Sequence, residues 1–317
     1  MSEPVSKADG PETPDERSAA PAKSAFVAVI GRPSAGKSTI LNALCGHKVA
    51  IVAPVPQTTR NRIRGIVNRA RGQLVFIDTP GYHTSSRTFN RHMRGLIEET
   101  IRDAEEILYV VDAARQPGEE ELELMRSVAG HAELPRVVAV NKTDVARADR
   151  LEAVRLLLSR RLPDIPVVEV SAKTGDGLDA LLDALYEHAP AGEPAYPDDF
   201  YTDQPPDFRI SEVIRQHAMA GLREELPHSI YVDVLDMEIH DLESGEKQLW
   251  IRAVIFVERS SQQGMIVGRK GSGIKRIRQA AQKEIASLFP YRIHLDLRVK
   301  VDPNWSRNDR VLDRLVQ

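Results

Sequence analysis

Along this chain, short runs of apolar, β-branched residues alternate with stretches whose apolar positions recur three and four residues apart. Residues 25–30, 74–77, 107–111, 137–140 and 167–170 read as buried strands, and residues 117–130, 147–161 and 176–188 as amphipathic helices. Strand and helix in alternation imply an α/β fold with a doubly wound, mostly parallel sheet. Residues 61–68 read as an antiparallel edge strand, hairpinned through Arg69–Gly72 to the strand that follows.

The pattern then changes. Ile210, Val213, Ile214, His217, Leu222 and Leu226 fall on one helix face, ended by Pro227. Two strands over 229–240 and 247–258 flank a turn at Glu243–Glu246. A short helix over 260–267, a Gly268–Gly271 turn, a helix carrying Ile274, Ile277, Ala281, Ile285 and Leu288, a strand over 291–301 and a short closing helix complete the chain. This α-β-β-α-α-β order predicts an α+β second domain. His217, on the apolar stripe, reads as a core histidine.

The boundaries follow from composition. Residues 1–24 have almost no large apolar side chain and read as a disordered tail. Residues 25–190 form the first domain. Residues 191–206 hold Pro194, Pro197, Pro205 and Pro206 and read as a semi-rigid linker; residues 207–317 form the second domain. A length of 317 residues agrees with two domains. The net charge of −3 gives no chain-wide nucleic-acid signal, so a basic surface must be local. One cysteine, Cys45, rules out an internal disulfide and fits a reducing compartment; on the apolar side of its helix it reads as a packed thiol. No membrane-spanning run or signal-peptide core is visible, so a soluble, cytoplasmic protein is expected.

Four motifs sit where predicted strands end. The first is Gly31-Arg32-Pro33-Ser34-Ala35-Gly36-Lys37-Ser38-Thr39, which fits G-x-x-x-x-G-K-[ST] between a strand and a helix. Glycines let backbone N–H groups and a helix N-terminus wrap phosphates. Lys37 would reach the β and γ phosphates, and Ser38 would hold Mg²⁺. This predicts a P-loop NTPase domain. The second is Asp78-Thr79-Pro80-Gly81. Alone it is also ordinary turn chemistry; after a P-loop, Asp78 is expected to hold Mg²⁺ through water and the Gly81 N–H to sense a γ-phosphate. The third is Asn141-Lys142-Thr143-Asp144. Guanine presents N1–H and an exocyclic amine, both of which one carboxylate, Asp144, can accept; a buried Asp144 would be unpaired against adenine. Asn141 would bond the O6/N7 side and tie down the P-loop, and the stem of Lys142 would cover the base. The fourth, Ser171-Ala172-Lys173, would turn backbone N–H groups toward guanine O6. Between the first two motifs, the Pro-rich segment 54–60 reads as a mobile loop. Thr59, with Thr58 as the alternative, would complete the Mg²⁺ shell when a γ-phosphate is present.

In the second domain, G-x-x-G at Gly268-Arg269-Lys270-Gly271 lies between two helices. Its glycines allow close approach of a nucleic-acid strand, and Arg269, Lys270, Lys275 and Arg278 can meet phosphates. Ten Lys and Arg residues from Arg259 to Lys300 face only Glu284 and Asp296 in that span. The order of elements with G-x-x-G is that of a type II K-homology (KH) domain, and with the local charge it predicts RNA binding.

Together, Gly31–Thr39, Pro56–Arg60, Asp78–Gly81, Asn141–Asp144, Ser171–Lys173 and Gly268–Gly271 resemble the Era family of bacterial GTPases, from Ala25 to about Trp305. The resemblance implies Mg²⁺-dependent hydrolysis of GTP to GDP, binding of small-subunit ribosomal RNA near its 3′ end, a role in assembly of the small subunit, and loose contact with the inner face of the cell membrane. A monomer with no DNA partner is expected. Tyr82 stands where Ras-like GTPases place a water-orienting glutamine, so unaided hydrolysis should be slow. Ser34 replaces the family's usual Asn, which puts K⁺ stimulation in doubt. The chain is therefore read as a switch whose nucleotide state sets RNA affinity; the rival is an RNA-binding scaffold with nucleotide as a stabilising ligand.

Overall fold

The computed structural model describes residues 22–52, 62–79, 97–220, 230–303 and 305. Thr58, Thr59, Pro80, Gly81, Tyr82 and the closing helix lie outside them.

The first domain is a six-stranded sheet in the order β2-β3-β1-β4-β5-β6. Its strands are β1 (Lys23–Gly31), β2 (Ile63–Arg69), β3 (Gly72–Asp78), β4 (Glu106–Asp112), β5 (Arg136–Asn141) and β6 (Val167–Glu169). Only β2 runs antiparallel, as the edge strand expected from the hairpin. Helices α1 (Lys37–Cys45), α2 (Glu119–Gly130), α3 (Ala148–Arg161) and α4 (Leu178–His188) cover both faces; residues 97–102 are also helical. The period-two geometry of a strand divides β1 between two cores. Val27 and Val29 pack with Leu41 and Leu44 of α1 and with Leu181 and Leu185 of α4. Ala28 and Ile30 pack with Leu124 and Val128 of α2 and with Val154 and Leu158 of α3. A strand buried on both faces must be apolar throughout, which is why it reads as an unbroken run.

Two boundaries differ from the reading of composition. Lys23 and Ser24, expected in the tail, belong to β1, where they pair with Gly72 and Gln73. The Pro-rich segment 191–205 lies along the open edge of β2. Ile66 N–H donates to Tyr201 O at 3.0 Å, Asn68 Nδ2 to Asp198 O at 2.9 Å, and Thr202 Oγ1 to Arg64 O at 2.8 Å. An edge strand presents unpaired backbone groups, and this segment covers them.

The second domain has α5 (Pro206–Met219), β7 (Ile230–Asp241), β8 (Lys247–Val257), α6 (Ser260–Val267), α7 (Ser272–Leu288) and β9 (Arg292–Val301). Its sheet order is β7-β8-β9, with β7 and β8 antiparallel and β8 and β9 parallel. The inward residues of β8 and β9 pack against Ile210, Val213 and Ile214 of α5 and Ile277, Ala281 and Ile285 of α7. Ile51, from the first domain, belongs to this same core and is 3% exposed. Burying that side chain contributes about 1.5–3 kcal/mol.

Candidate functional site

The described residues of the four first-domain motifs meet at the carboxyl edge of the sheet, where ligands of open α/β sheets bind. Gly36 caps α1 in the left-handed region, with φ 95°. The Lys37 Nζ donates to the carbonyls of Gly31 at 3.1 Å and Arg32 at 3.2 Å. Burial pushes its ammonium below the usual lysine value, while the Asp78 and Glu121 carboxylates pull it back up. An ammonium held this way is drawn toward added negative charge. Ser38 Oγ donates to Asp78 Oδ2 at 2.6 Å. A hydroxyl and a carboxylate brought together form an all-oxygen donor set, which suits a hard cation such as Mg²⁺. Thr79, buried, donates through Oγ1 to Val29 O at 2.7 Å and anchors the chain after β3.

Asn141 bolts two motifs together. Its Nδ2 donates to Ala35 O of the P-loop at 2.9 Å, and its Oδ1 accepts from Ala172 N–H at 3.1 Å. These bonds tie down the P-loop, as expected, and use one of the two N–H donors of the Asn141 amide. The same bond alters the expectation for Ser171-Ala172-Lys173. Ala172 N–H goes to Asn141, and Ser171 N–H goes to Asp176 O at 2.9 Å. Of the three amides expected to face guanine O6, two are taken up in closing the turn. Asp144 is exposed at the open edge, not buried as expected, so selectivity needs a base to cover it. Ser171 Oγ donates to Asp144 Oδ1 at 2.9 Å and aims the carboxylate.

Lys142 (φ 68°) donates to Ser34 O at 2.6 Å and to Asp112 Oδ2 at 2.6 Å. Asp112, at the carboxyl end of β4 and 1% exposed, was not singled out in the sequence. Its place as the last residue of an apolar strand is the signal that could have found it. Ser34, Lys142 and Lys270 are the non-glycine residues with positive φ among the described residues, and each lies in a motif read from sequence. Backbone held in that region marks a functional constraint. Cys45 is a packed thiol, pushed up to about 12 by burial against the pull of Arg69.

Gly36 gives a direct test. A Cβ there would lie 2.2 Å from Asn141 Nδ2, at a φ that disfavours any side chain. Gly36→Ala is expected to break the Asn141–Ala35 bond and to lower nucleotide affinity on the order of 100-fold. Fluorescent GDP titration measures it, and unchanged affinity would mean that the loop tolerates a shift at its hinge.

In the second domain, Gly268 has φ 70° and ψ 174° and Gly271 has φ 76°, with Lys270 between them at φ 51°. A Cβ on Gly268 would approach Gly273 N to 2.8 Å. The turn therefore sits tight on the start of α7 and presents Arg269 and Lys270 to solvent. Further along α7, an open groove of about 530 Å³ lies between that helix and β9, lined by Arg278, Gln279, Gln282, Lys283, Ala286, Arg292 and Ile293. Arg278 lines it; Lys275 shares its helix face one turn earlier but is not part of the lining. Gln279 and Gln282 line it beside the charged groups, and Gln282 Nε2 donates to Ile293 O at 2.7 Å. Not all the basic span faces this groove. Arg298 pairs with Asp296 at 3.0 Å on the outer sheet face.

His217 is not a core histidine. Its Nε2 lies 2.7 Å from Glu284 Oε2, and Lys48 of the first domain pairs with Glu284 as well. Burial works against ionisation of Glu284, but His217 and Lys48 hold its carboxyl below the usual range. Lys48 also donates to Gln216 Oε1 at 2.8 Å, which accepts from Val52 N–H at 3.1 Å. Asn42 of α1 grips the same segment: its Oδ1 accepts from Val49 and Ala50 N–H, each at 2.9 Å. Hydrogen bonds thus run from α1 to the groove helix α7.

Known proteins match in the same two parts. A family model described as 50S ribosome-binding GTPase matches residues 26–142, and a KH domain model matches residues 225–306. GTPase Era of Treponema pallidum is 45% identical over 307 residues, covering 91% of this chain and 95% of its own. GTPase Era of Borreliella afzelii is 42% identical, covering 93% and 99%. Among solved structures, Era in complex with MgGDPNP and nucleotides 1506–1542 of 16S ribosomal RNA superposes with a TM-score of 0.86 at 32% identity, over 93% of this chain and 98% of that one. Aquifex aeolicus Era bound to GDP and aluminium fluoride gives the same TM-score and identity.

Proposed function

This chain belongs to the Era family of GTPases, and on that premise we propose that it is a nucleotide-gated clamp on 16S ribosomal RNA near its 3′ end, acting in assembly of the small ribosomal subunit. It binds and hydrolyses GTP with Mg²⁺. In the reading offered here, the N–H groups of 31–39 and the α1 N-terminus cradle the phosphates, and Lys37 leaves its two carbonyls for the β and γ oxygens. Ser38, and Asp78 through water, would hold Mg²⁺, which neutralises charge developing between the β and γ phosphates. Asp144 reads the guanine edge, while Asn141, Lys142 and Asp112 keep base site and P-loop in register. Roles for Thr59 and Gly81 complete the proposal.

The observation that carries the gating is Ile51. The segment after the phosphate-binding helix places Ile51 inside the core of the domain that bears G-x-x-G. A change in its position alters packing in both domains, because close-packed cores do not deform smoothly. RNA affinity measured at fixed salt with GDP and with a non-hydrolysable GTP analogue tests this. A difference within about 5–150-fold between the two states is expected, the usual range of coupling. Arg269→Asp/Lys270→Asp should abolish binding in both. Equal affinity in both nucleotide states would favour the scaffold reading, for which Asp78→Asn should leave the cellular role intact. The protein is further proposed to be cytoplasmic and monomeric, with peripheral contact at the membrane's inner face, which sedimentation and liposome flotation check.

A further inference from the structure

Under the P-loop lies a buried cluster that joins one motif residue to two residues outside every motif. Arg32, inside the loop, is 5% exposed, and Glu121 of α2 and Tyr109 of β4 are 0% exposed. Arg32 Nε lies 2.5 Å from Glu121 Oε2, and the Tyr109 hydroxyl donates to Glu121 Oε1. Tyr109 sits beside Ile30 in the β1–β4 pairing, one residue before the loop begins. The contacts therefore close a ring, from β1 through the P-loop to Arg32, Glu121, Tyr109 and back to β1. The Arg32 carbonyl faces into the loop, where it accepts from Lys37 Nζ at 3.2 Å and from Ala35 N–H at 3.2 Å.

We propose that Glu121 is a positioning residue for GTP hydrolysis, acting through Arg32 on the P-loop backbone and so on Lys37. The Arg32 side chain reaches away from the phosphate cradle and cannot act on substrate while it is held by Glu121. Its backbone carbonyl sets where the Lys37 ammonium rests. Anchoring that residue to the centre of the sheet fixes the cradle before nucleotide arrives. Positioning at this level matters because a displacement near 1 Å can slow an enzyme on the order of 100-fold. A buried ion pair can also serve only to neutralise itself, and removing one partner is then destabilising for that reason alone.

The two roles separate in a set of variants assayed with the parent protein alongside, so that loss of GTP turnover in a variant is distinct from absence of turnover in the protein. Glu121→Gln keeps the acceptor and the shape and drops the charge. It is expected to lower single-turnover hydrolysis at least about tenfold and, because the Arg32 guanidinium then stays buried without its counter-charge, to lower the melting temperature as well. Replacing the pair with apolar residues of similar volume, Arg32→Met/Glu121→Met, is expected to recover whatever stability Glu121→Met alone loses and to remain as slow. Tyr109→Phe leaves the ion pair and removes one anchor, so a smaller loss of turnover is expected, and it keeps the test alive should the double variant fail to fold. Recovery of turnover together with stability in the double variant would overturn the proposal. So would parental turnover in both Glu121→Gln and Tyr109→Phe.

Discussion

Asp144→Asn is expected to exchange guanine for xanthine as the base this protein accepts. In the structure the Asp144 carboxylate stands at the open edge of the sheet, aimed by the hydroxyl of Ser171 at 2.9 Å. Guanine offers it two donors, N1–H and the exocyclic amine. Each bond to a carboxylate is worth about 1.5–3 kcal/mol, so losing one lowers affinity on the order of 10- to 10²-fold before any clash is counted. Asparagine keeps one acceptor and sets an amide N–H₂ against the guanine amine, donor against donor. Xanthine carries a carbonyl at that position and restores the match. Nucleotide titration with GTP and XTP, on parent and variant, measures the exchange. Weakened GTP binding with no gain for XTP would mean that the substitution disturbed the turn around Ser171, and retained GTP binding would mean that guanine is read by other groups.

The second large effect concerns stability. Glu106, at the start of β4, is 1% exposed. Neither of its carboxyl oxygens has a hydrogen-bond partner among the described residues. His188 Nδ1 lies 3.8 Å away, and that nitrogen is 3.0 Å from Ala184 O. Burial pushes the Glu106 carboxyl up to about 8, against the pull of Lys23. Lys23 is itself occupied, donating to Tyr186 O at 2.5 Å and Glu187 O at 3.0 Å. A glutamate in the unfolded chain ionises near ~4.3. Between that value and about 8 the folded protein keeps a proton that the unfolded chain has released. The stability tied to this proton is fully present below the unfolded value and is lost as pH rises through the folded one. The loss is on the order of 3–5 kcal/mol across the interval. Glu106→Gln, neutral throughout, should be more stable than the parent at pH 8 by a gap that closes toward pH 5. Urea midpoints of the first domain at pH 5, 7 and 9 measure the gap; one that stays constant with pH would remove Glu106 as its source.

Much of the fold was legible because its elements are buried on both faces or on one. The strands of the first sheet are continuous apolar runs, since helices cover both sides. Helix α7 shows its inward stripe of Ile277, Ala281 and Ile285 because its other face meets solvent. The P-loop, Asp78, Asn141–Asp144 and G-x-x-G were legible for a different reason. Each is local in sequence, and the chemistry it serves restricts the residue types allowed. Arg32, by contrast, was read only as a member of its motif, with no hint of the carboxylate beneath it.

The order of elements, the motif residues and the kind of nucleotide they suit can all be read along the chain. These depend on spacing along the chain and on the chemistry of single residue types. Tertiary structure alone decided that Asp112 holds Lys142, that Glu121 sits under the P-loop, that segment 191–205 covers the edge of β2, and that Ile51 enters the core of the other domain. It also decided that His217 faces Glu284 and that Asp144 stands open. Each of these joins residues far apart in sequence through burial or charge pairing. A partner that distance along the chain does not specify leaves no periodicity and no motif, so only the folded arrangement of layers can reveal it.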